Sequence, residues 1–171
     1  IDNTVLTALQ KIVGADKVLT DYDSLQRYGR DWTRVHNPNP TAVLLPDSIE
    51  QVQGIVRLAA QEGLAIVPSG GRTGLSAGAV ACNGELVLAL DRLNSIEDFN
   101  PIDRTVRCGA GVVTQQLQEY AAARDLFYPV DFASSGSSQI GGNISTNAGG
   151  IKVIRHGMTR DWVAGLKLVN G

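Results

Sequence analysis

The sequence predicts an α+β fold. Three observations carry that expectation. Helix-periodic stretches and short apolar strand-like runs both occur, they do not alternate with the regularity of a doubly wound sheet, and two long glycine-rich segments interrupt them. The chain has 171 residues, enough for one domain or two small lobes with a buried core.

Residues 2–13 read as an amphipathic helix with Val5, Leu6, Leu9, Ile12 and Val13 on one face and Gly14 as its stop. Residues 21–41 carry aromatics, arginines, Pro38 and Pro40, and read as irregular. Residues 42–45 form a buried strand ended by Pro46. Ser48 then caps a helix, with Gln51 three residues on completing a capping box. Ile49, Val52, Val56 and Ala59 line one face of that helix, and Gly63 closes it. Residues 64–67 read as a second strand, so 42–67 is a strand–helix–strand unit. The first glycine-rich loop, 68–78, follows, then an apolar strand over 85–90. A turn falls at Asn100 and Pro101, with strand-like residues around 105–108. Thr114 is expected to cap a helix over 115–124 that buries Leu117, Tyr120 and Ala121. The second glycine-rich segment runs over 132–151, and a last strand is expected over 166–169. There is no internal repeat.

Composition excludes several functions. Lys plus Arg is 15 and Asp plus Glu is 17, a net charge of −2 that gives no basic face for nucleic acid. No apolar run approaches the ~18 residues of a membrane span. No secretory signal is present, and a start at Ile1 leaves room for residues upstream. Cys82 and Cys108 form neither a disulfide framework nor a CxxC metal pair, and read first as reduced thiols of an intracellular protein, with a lone disulfide as the alternative. His36 and His156 lack metal-ligand spacing, so no metal site is expected in this chain.

The glycines point to a ligand. They number 19, about 11% against roughly 7% expected. Any single glycine is adequately explained as a turn, a helix end or a packing position, as at Gly14, Gly29, Gly54, Gly63, Gly84 and Gly165. Two long clusters almost free of charge are not. Between Leu64 and Gly84 the one charged side chain is Arg72, and between Phe132 and Ile151 there is none. Loops rich in Gly, Ser, Thr and Asn turn amide N–H groups inward, let the main chain approach an anion, and add small donors. That chemistry suits a diphosphate with a polar linker. The Rossmann fingerprint fails, because Gly109-Ala-Gly111 is followed by Thr at 114, and no P-loop run exists. A nicotinamide site or an ordinary ATPase is not expected.

Taken in order, Pro68-Ser-Gly-Gly-Arg-Thr-Gly-Leu-Ser-Ala-Gly78, Ser137-Ser-Gln-Ile-Gly-Gly-Asn-Ile-Ser-Thr-Asn-Ala-Gly-Gly150 and Arg155-His-Gly-Met-Thr-Arg-Asp161 resemble a specific pattern. It is that of the flavin-binding domain of the FAD-linked oxidases, the vanillyl-alcohol-oxidase or p-cresol methylhydroxylase (PCMH) superfamily. Within it, the chain is most similar to glycolate oxidase, D-lactate dehydrogenase and D-2-hydroxyglutarate dehydrogenase. The resemblance implies two α+β lobes, about 1–93 and 94–171, with FAD stretched between them. Pro68, Ser69, Gly70, Gly71, Arg72, Thr73, Gly74, Leu75 and Ser76 would wrap the diphosphate. Pro129, Gly136, Ser137, Gly141, Gly142, Asn143 and Thr146 would line the ribityl chain and flavin ring. Gly149, Gly150 and Gly157 would lie toward the diphosphate and ribose, and the adenine would meet the main chain near Val169. Relatives with covalent flavin at the first loop carry a His where this chain has Arg72, which implies non-covalent FAD. Arg72 itself is left with two roles, a phosphate contact or a solvent-facing side chain.

The resemblance further implies an oxidoreductase that takes hydride from a D-2-hydroxy acid onto the flavin and passes electrons to a quinone, a cytochrome, an electron-transfer flavoprotein or oxygen. A substrate-binding domain, a general base and any metal site would lie beyond residue 171, so the chain reads as the N-terminal fragment of a longer, cytoplasmic or peripherally membrane-bound enzyme. Asp131 and His156 read as structural. The alternative is a non-catalytic flavin-binding subunit or scaffold of a larger oxidase complex.

Overall fold

The computed structural model describes residues 1–171. The chain divides into two compact units, one of Ile1–Arg92 with Leu168–Gly171, the other of Leu93–Lys167.

The first unit starts with helix α1 (Asn3–Val13), whose N-terminus is capped by the Asp2 carboxylate accepting the Val5 N–H at 2.8 Å. A single 3₁₀ turn (Ala15–Lys17) leads into the short strand β1 (Val18–Leu19). Helix α2 (Tyr22–Tyr28) follows, and it corrects the expectation of irregular chain over 21–41. The Asp21 side chain caps it, accepting from the Ser24 N–H at 2.9 Å, and the expected irregularity begins only after Gly29. Strand β2 (Ala42–Leu44), helix α3 (Ile49–Glu62) and strand β3 (Ile66–Ser69) form the expected strand–helix–strand unit. Ser48 caps α3 as expected, at 3.3 Å to the Gln51 N–H. The reciprocal Gln51 contact goes one residue upstream, to the Asp47 N–H at 2.9 Å. Gly63 closes α3 at φ 65°, a left-handed conformation that a Cβ disfavours.

Strand β4 (Leu86–Ala89) inserts between β2 and β3, giving the order β1-β2-β4-β3. β2, β4 and β3 run parallel and β1 is antiparallel to β2. β2 and β4 are buried on both faces, which explains why they read as unbroken apolar runs rather than alternating ones. Ala42, Leu44, Leu86 and Leu88 face Leu9, Val13 and Ile55 of the two long helices. Val43, Val87 and Ala89 face Tyr28, Leu45 and Ala81. Gly54 lets α1 and α3 close up, since a Cβ there would stand 3.1 Å from Ile12 Cγ2.

In the second unit, strands β5 (Ile96–Asn100) and β6 (Thr105–Cys108) pair as an antiparallel hairpin through the expected turn. Helix α4 (Thr114–Ala122) buries Thr114 and Leu117, and helix α5 (Ile140–Ser145) buries Ile140 and Asn143. Thr114 is the first helical residue rather than a cap. Its hydroxyl is used elsewhere, in the polar network described below. Helix α6 (Val153–His156) and a 3₁₀ turn (Thr159–Trp162) complete this unit. No strand forms over 166–169. Residues 166–168 are exposed, so the apolar alternation there has no sheet to join.

Candidate flavin-binding loops

In the first unit, the loop after β3 is tied at both ends. Ser69 is fully buried, and its hydroxyl donates to the Tyr28 carbonyl at 3.0 Å while its own carbonyl accepts the Leu90 N–H. At the far end, the Ala77 N–H donates to Asp31 Oδ2 at 3.0 Å. Between these ties, no amide N–H of residues 70–76 donates to a protein acceptor. The Trp32 N–H spends the Gly74 carbonyl instead, at 3.2 Å. A run of unpaired donors in one loop, with no acidic side chain within it, has the chemistry of an anion cradle. Pro68, Leu75 and Ser76 are exposed at its rim, and Thr73 is half-buried.

Arg72 does not take the solvent-facing role. Nη2 and Nη1 donate to Asp91 Oδ1 and Oδ2 at 3.1 and 3.3 Å, and the guanidinium lies 4.8 Å from the Tyr28 ring centroid. Its charge is paired inside the protein, with the side chain 17% exposed.

In the second unit, the 132–151 segment is not one open loop, because α5 forms in its middle. A buried polar network fixes that helix. Thr114 Oγ1 lies 2.7 Å from Ser138 Oγ and accepts from Asn143 Nδ2 at 2.6 Å, and the Thr114 N–H donates to the Ser138 carbonyl at 2.9 Å. One Nδ2 hydrogen of Asn143 is therefore used by the fold. Thr146 donates to the Gly142 carbonyl at 2.9 Å, and Ser137 is an exposed turn residue. Pro129 is fully buried. The glycines divide. A Cβ at Gly141 would stand 2.7 Å from the Ala110 Cβ, one at Gly150 would run into the Asp131 carbonyl, and one at Gly157 would run into the Asp161 carboxylate. At Gly142 a Cβ would meet nothing within 4 Å, and at Gly149 it would make ordinary contacts with Met158 and Val153. The amides of Gly136, Gly142, Gly149 and Gly150 have no protein acceptor.

These features fit a flavin nucleotide. Gln139 is 5% exposed, yet its Oε1 has no hydrogen-bond partner, a buried acceptor waiting for a donor. In the first unit the cradle of amides suits a diphosphate, and in the second the open face at Gly142 leaves room for a ligand to lie against the main chain. Residues 40–171 match a family model described as an FAD binding domain.

The chain belongs to the FAD binding domain family. FAD is the cofactor of this domain. Over 170 residues the chain is 61% identical to the D-2-hydroxyglutarate dehydrogenase of Stutzerimonas stutzeri (strain A1501), a match covering 99% of this chain and 37% of that protein. Among solved structures, an alkyldihydroxyacetonephosphate synthase superposes with TM-score 0.86 at 18% identity, over 94% of this chain and 32% of that one. A p-cresol methylhydroxylase with substrate bound superposes with TM-score 0.72 at 25% identity, over 86% of this chain and 29% of that one. Family and fold are those the two loops implied. The chain spans about a third of the length of the curated relatives it matches.

Asp131 pairs with Lys152 at 2.9 Å, and the His156 ring packs edge-on to Phe127 at 5.7 Å. Val169, half-buried, belongs to the terminal segment that packs with the first unit. Both cysteines are free thiols. Burial pushes the Cys108 thiol up, and burial with Cys108 nearby pushes the Tyr128 phenol up to about 12. No group of three or more His, Cys, Asp or Glu side chains is placed to hold a metal ion. No helix is long and apolar enough to cross a membrane.

Sequence reasoning missed Asp31, Asp91 and Gln139. Asp31-Trp-Thr33 carries a signal, since an Asp two residues before a Thr commonly folds back on the backbone. Gln139 carries none.

Proposed function

We propose that this chain is the flavin-binding part of a dehydrogenase that oxidises a D-2-hydroxy acid of the D-2-hydroxyglutarate type, with FAD held non-covalently. The observation that carries the substrate class is the 61% identity, over nearly the whole chain, to a D-2-hydroxyglutarate dehydrogenase. Bound flavin supplies a two-electron acceptor, and the protein supplies binding and orientation. The free amides of residues 70–76 hold the diphosphate by its negative charge. The Gly142 amide and the Gln139 Oε1 orient the flavin end. Non-covalent binding is supported by the loop chemistry. Residues 69–76 and 136–150 contain no His, Cys or Tyr, and the Arg72 guanidinium is engaged by Asp91. Electrons leave to an acceptor such as a quinone, a cytochrome, an electron-transfer flavoprotein or oxygen. The test uses the full-length protein. It should purify yellow, absorb near 450 nm, release its flavin on denaturation, and reduce an artificial acceptor with D- but not L-2-hydroxyglutarate. A colourless protein that takes up no added FAD sinks the reading. Flavin binding without oxidation of any D-2-hydroxy acid would favour a non-catalytic flavin subunit.

A further inference from the structure

Composition does not explain two residues of the first loop. Arg72 has φ 58° and Ala77 has φ 60°. Both lie in the left-handed region, where a Cβ is disfavoured and glycine is the usual occupant. The segment places glycines at 70, 71, 74 and 78, yet these two positions are not glycine. Such conformations persist only where the surroundings over-determine them.

Each strained residue is held by a carboxylate from outside the loop. Asp91, just beyond β4, accepts both Nη atoms of Arg72, which also rests on the Tyr28 ring. Asp31, just beyond α2, accepts the Ala77 N–H at 3.0 Å. Its other oxygen accepts the Thr33 hydroxyl at 2.6 Å and the Thr33 N–H at 2.9 Å. Asp31 is 3% exposed and pairs with no cation. Burying an unpaired carboxylate is costly, so its hydrogen bonds must hold it there, and they in turn hold the loop. One brace acts within the run of free amides, at Arg72, and the other at its far end, at Ala77.

We propose that Asp31 and Asp91 are positioning residues that hold residues 70–76 in their cofactor-ready shape by fixing the left-handed turns at Ala77 and Arg72, a role that rests on the assignment of this loop to the FAD diphosphate. Affinity for a loop that populates its competent shape only a fraction of the time falls by that fraction. With both braces in place the fraction is close to one. Without one of them, relief of the strain lowers it.

The test is a rescue experiment in the full-length protein, read by FAD titration and by amide hydrogen exchange of the FAD-free form. Asp31→Ala should raise the Kd for FAD about tenfold and speed exchange at 70–77, while β2 and β4 stay protected. Adding Ala77→Gly should recover most of the affinity, because glycine adopts φ near 60° without strain. Ala77→Gly alone should leave Kd within about twofold, the shape being already populated. The same logic applies at the other brace, where Asp91→Ala should weaken binding and Arg72→Gly should partly restore it. Should Asp31→Ala fail to fold, Asp31→Asn and the Asp91 pair carry the comparison. Unchanged affinity and exchange in the carboxylate variants overturns the proposal, as does a loss that glycine does not restore. If the wild type takes up no FAD, the functional assignment fails, while the exchange measurement still decides whether the carboxylates brace the loop.

Discussion

Gly141 and Gly142 are neighbours in α5, and the structure expects opposite outcomes when each gains a methyl group. At Gly142 a Cβ meets nothing within 4 Å, and φ is not in the left-handed region. Gly142→Ala should therefore stabilise the FAD-free protein by up to about 1 kcal/mol, the helix-interior difference between the two residues. For a chain of this size that raises Tm by roughly 2–4 °C. At Gly141 the Cβ would stand 2.7 Å from the Ala110 Cβ and 3.1 Å from its carbonyl oxygen. Gly141→Ala should therefore cost about 1–3 kcal/mol from overpacking, whatever the helix gains. Affinity divides the two differently. If FAD lies against the open face at Gly142, the same methyl that stabilises the empty protein should weaken FAD at least about tenfold, or 1.4 kcal/mol. Thermal unfolding without FAD and fluorescence titration with it measure both quantities on one sample. A Gly142→Ala protein that is stabilised and binds FAD normally would remove Gly142 from the flavin contact. One that unfolds as early as Gly141→Ala would refute the packing analysis itself.

Three further outcomes are expected. Hydrogen bonds hold the carboxyls of Asp31 (chiefly the Thr33 hydroxyl) and Glu85 (chiefly the Asn83 N–H) below their usual range, and those of Asp21 and Asp47 are likewise lowered. The stability they contribute is complete above the ordinary carboxylate pKa of about 4 and is lost as pH falls through the lowered values, so Tm should hold between about pH 5 and 8 and drop below about 4. Asp31→Asn should make that acid limb shallower; a limb already descending at pH 6 would count against these groups. Burial pushes the Cys108 thiol up, so a maleimide should label it at least about tenfold more slowly at pH 8 than an unfolded control, and Tyr128 should ionise in an ultraviolet titration only well above the ordinary tyrosine pKa of about 10. Thr114→Val leaves the Asn143 amide and the Ser138 hydroxyl without their partner, which should cost about 1–3 kcal/mol in urea unfolding; no loss would mean the network does not anchor α5.

Local signals of the fold were legible where physics acts locally. Ser48 with Gln51, the Gly63 stop, the apolar faces of α1 and α3, and the turn at Asn100 all depend on residues within a few positions of one another. Failures came where the deciding partner is distant. Nothing near Leu86 says that β4 lies between β2 and β3. Helix α2 was hidden because Tyr22 to Tyr28 mixes aromatic and charged residues, and its cap is a lone Asp21 rather than a capping box. Thr114 has the chemistry of a cap, yet Ser138 and Asn143, 24 and 29 residues away, claim its hydroxyl. Residues 166–169 alternate like a strand and find no neighbour to pair with. The loops themselves stood out because their signal is the absence of charge over a long stretch, and that needs no knowledge of the partner.

Counting glycines gave each one equal weight, and geometry does not. Gly109, Gly141, Gly150 and Gly157 are glycine because protein atoms stand where a Cβ would be: the Leu93 carbonyl, Ala110, the Asp131 carbonyl and the Asp161 carboxylate. Their replacement should harm the empty fold first and tells little about the ligand. Gly74, Gly78, Gly142 and Gly165 meet nothing within 4 Å and have no left-handed φ, so the protein alone gives no reason for them. The amide N–H groups of all four lack protein acceptors, and Gly74, Gly78 and Gly142 lie in the two glycine-rich segments, with Gly165 outside them. A position that the fold does not need to be glycine, beside a donor that the fold does not use, is best explained by a group the chain itself does not contain. By that criterion Gly74, Gly78 and Gly142 carry most of what the glycine excess says about FAD, whereas Arg72, the most conspicuous residue of the first loop, is paired with Asp91.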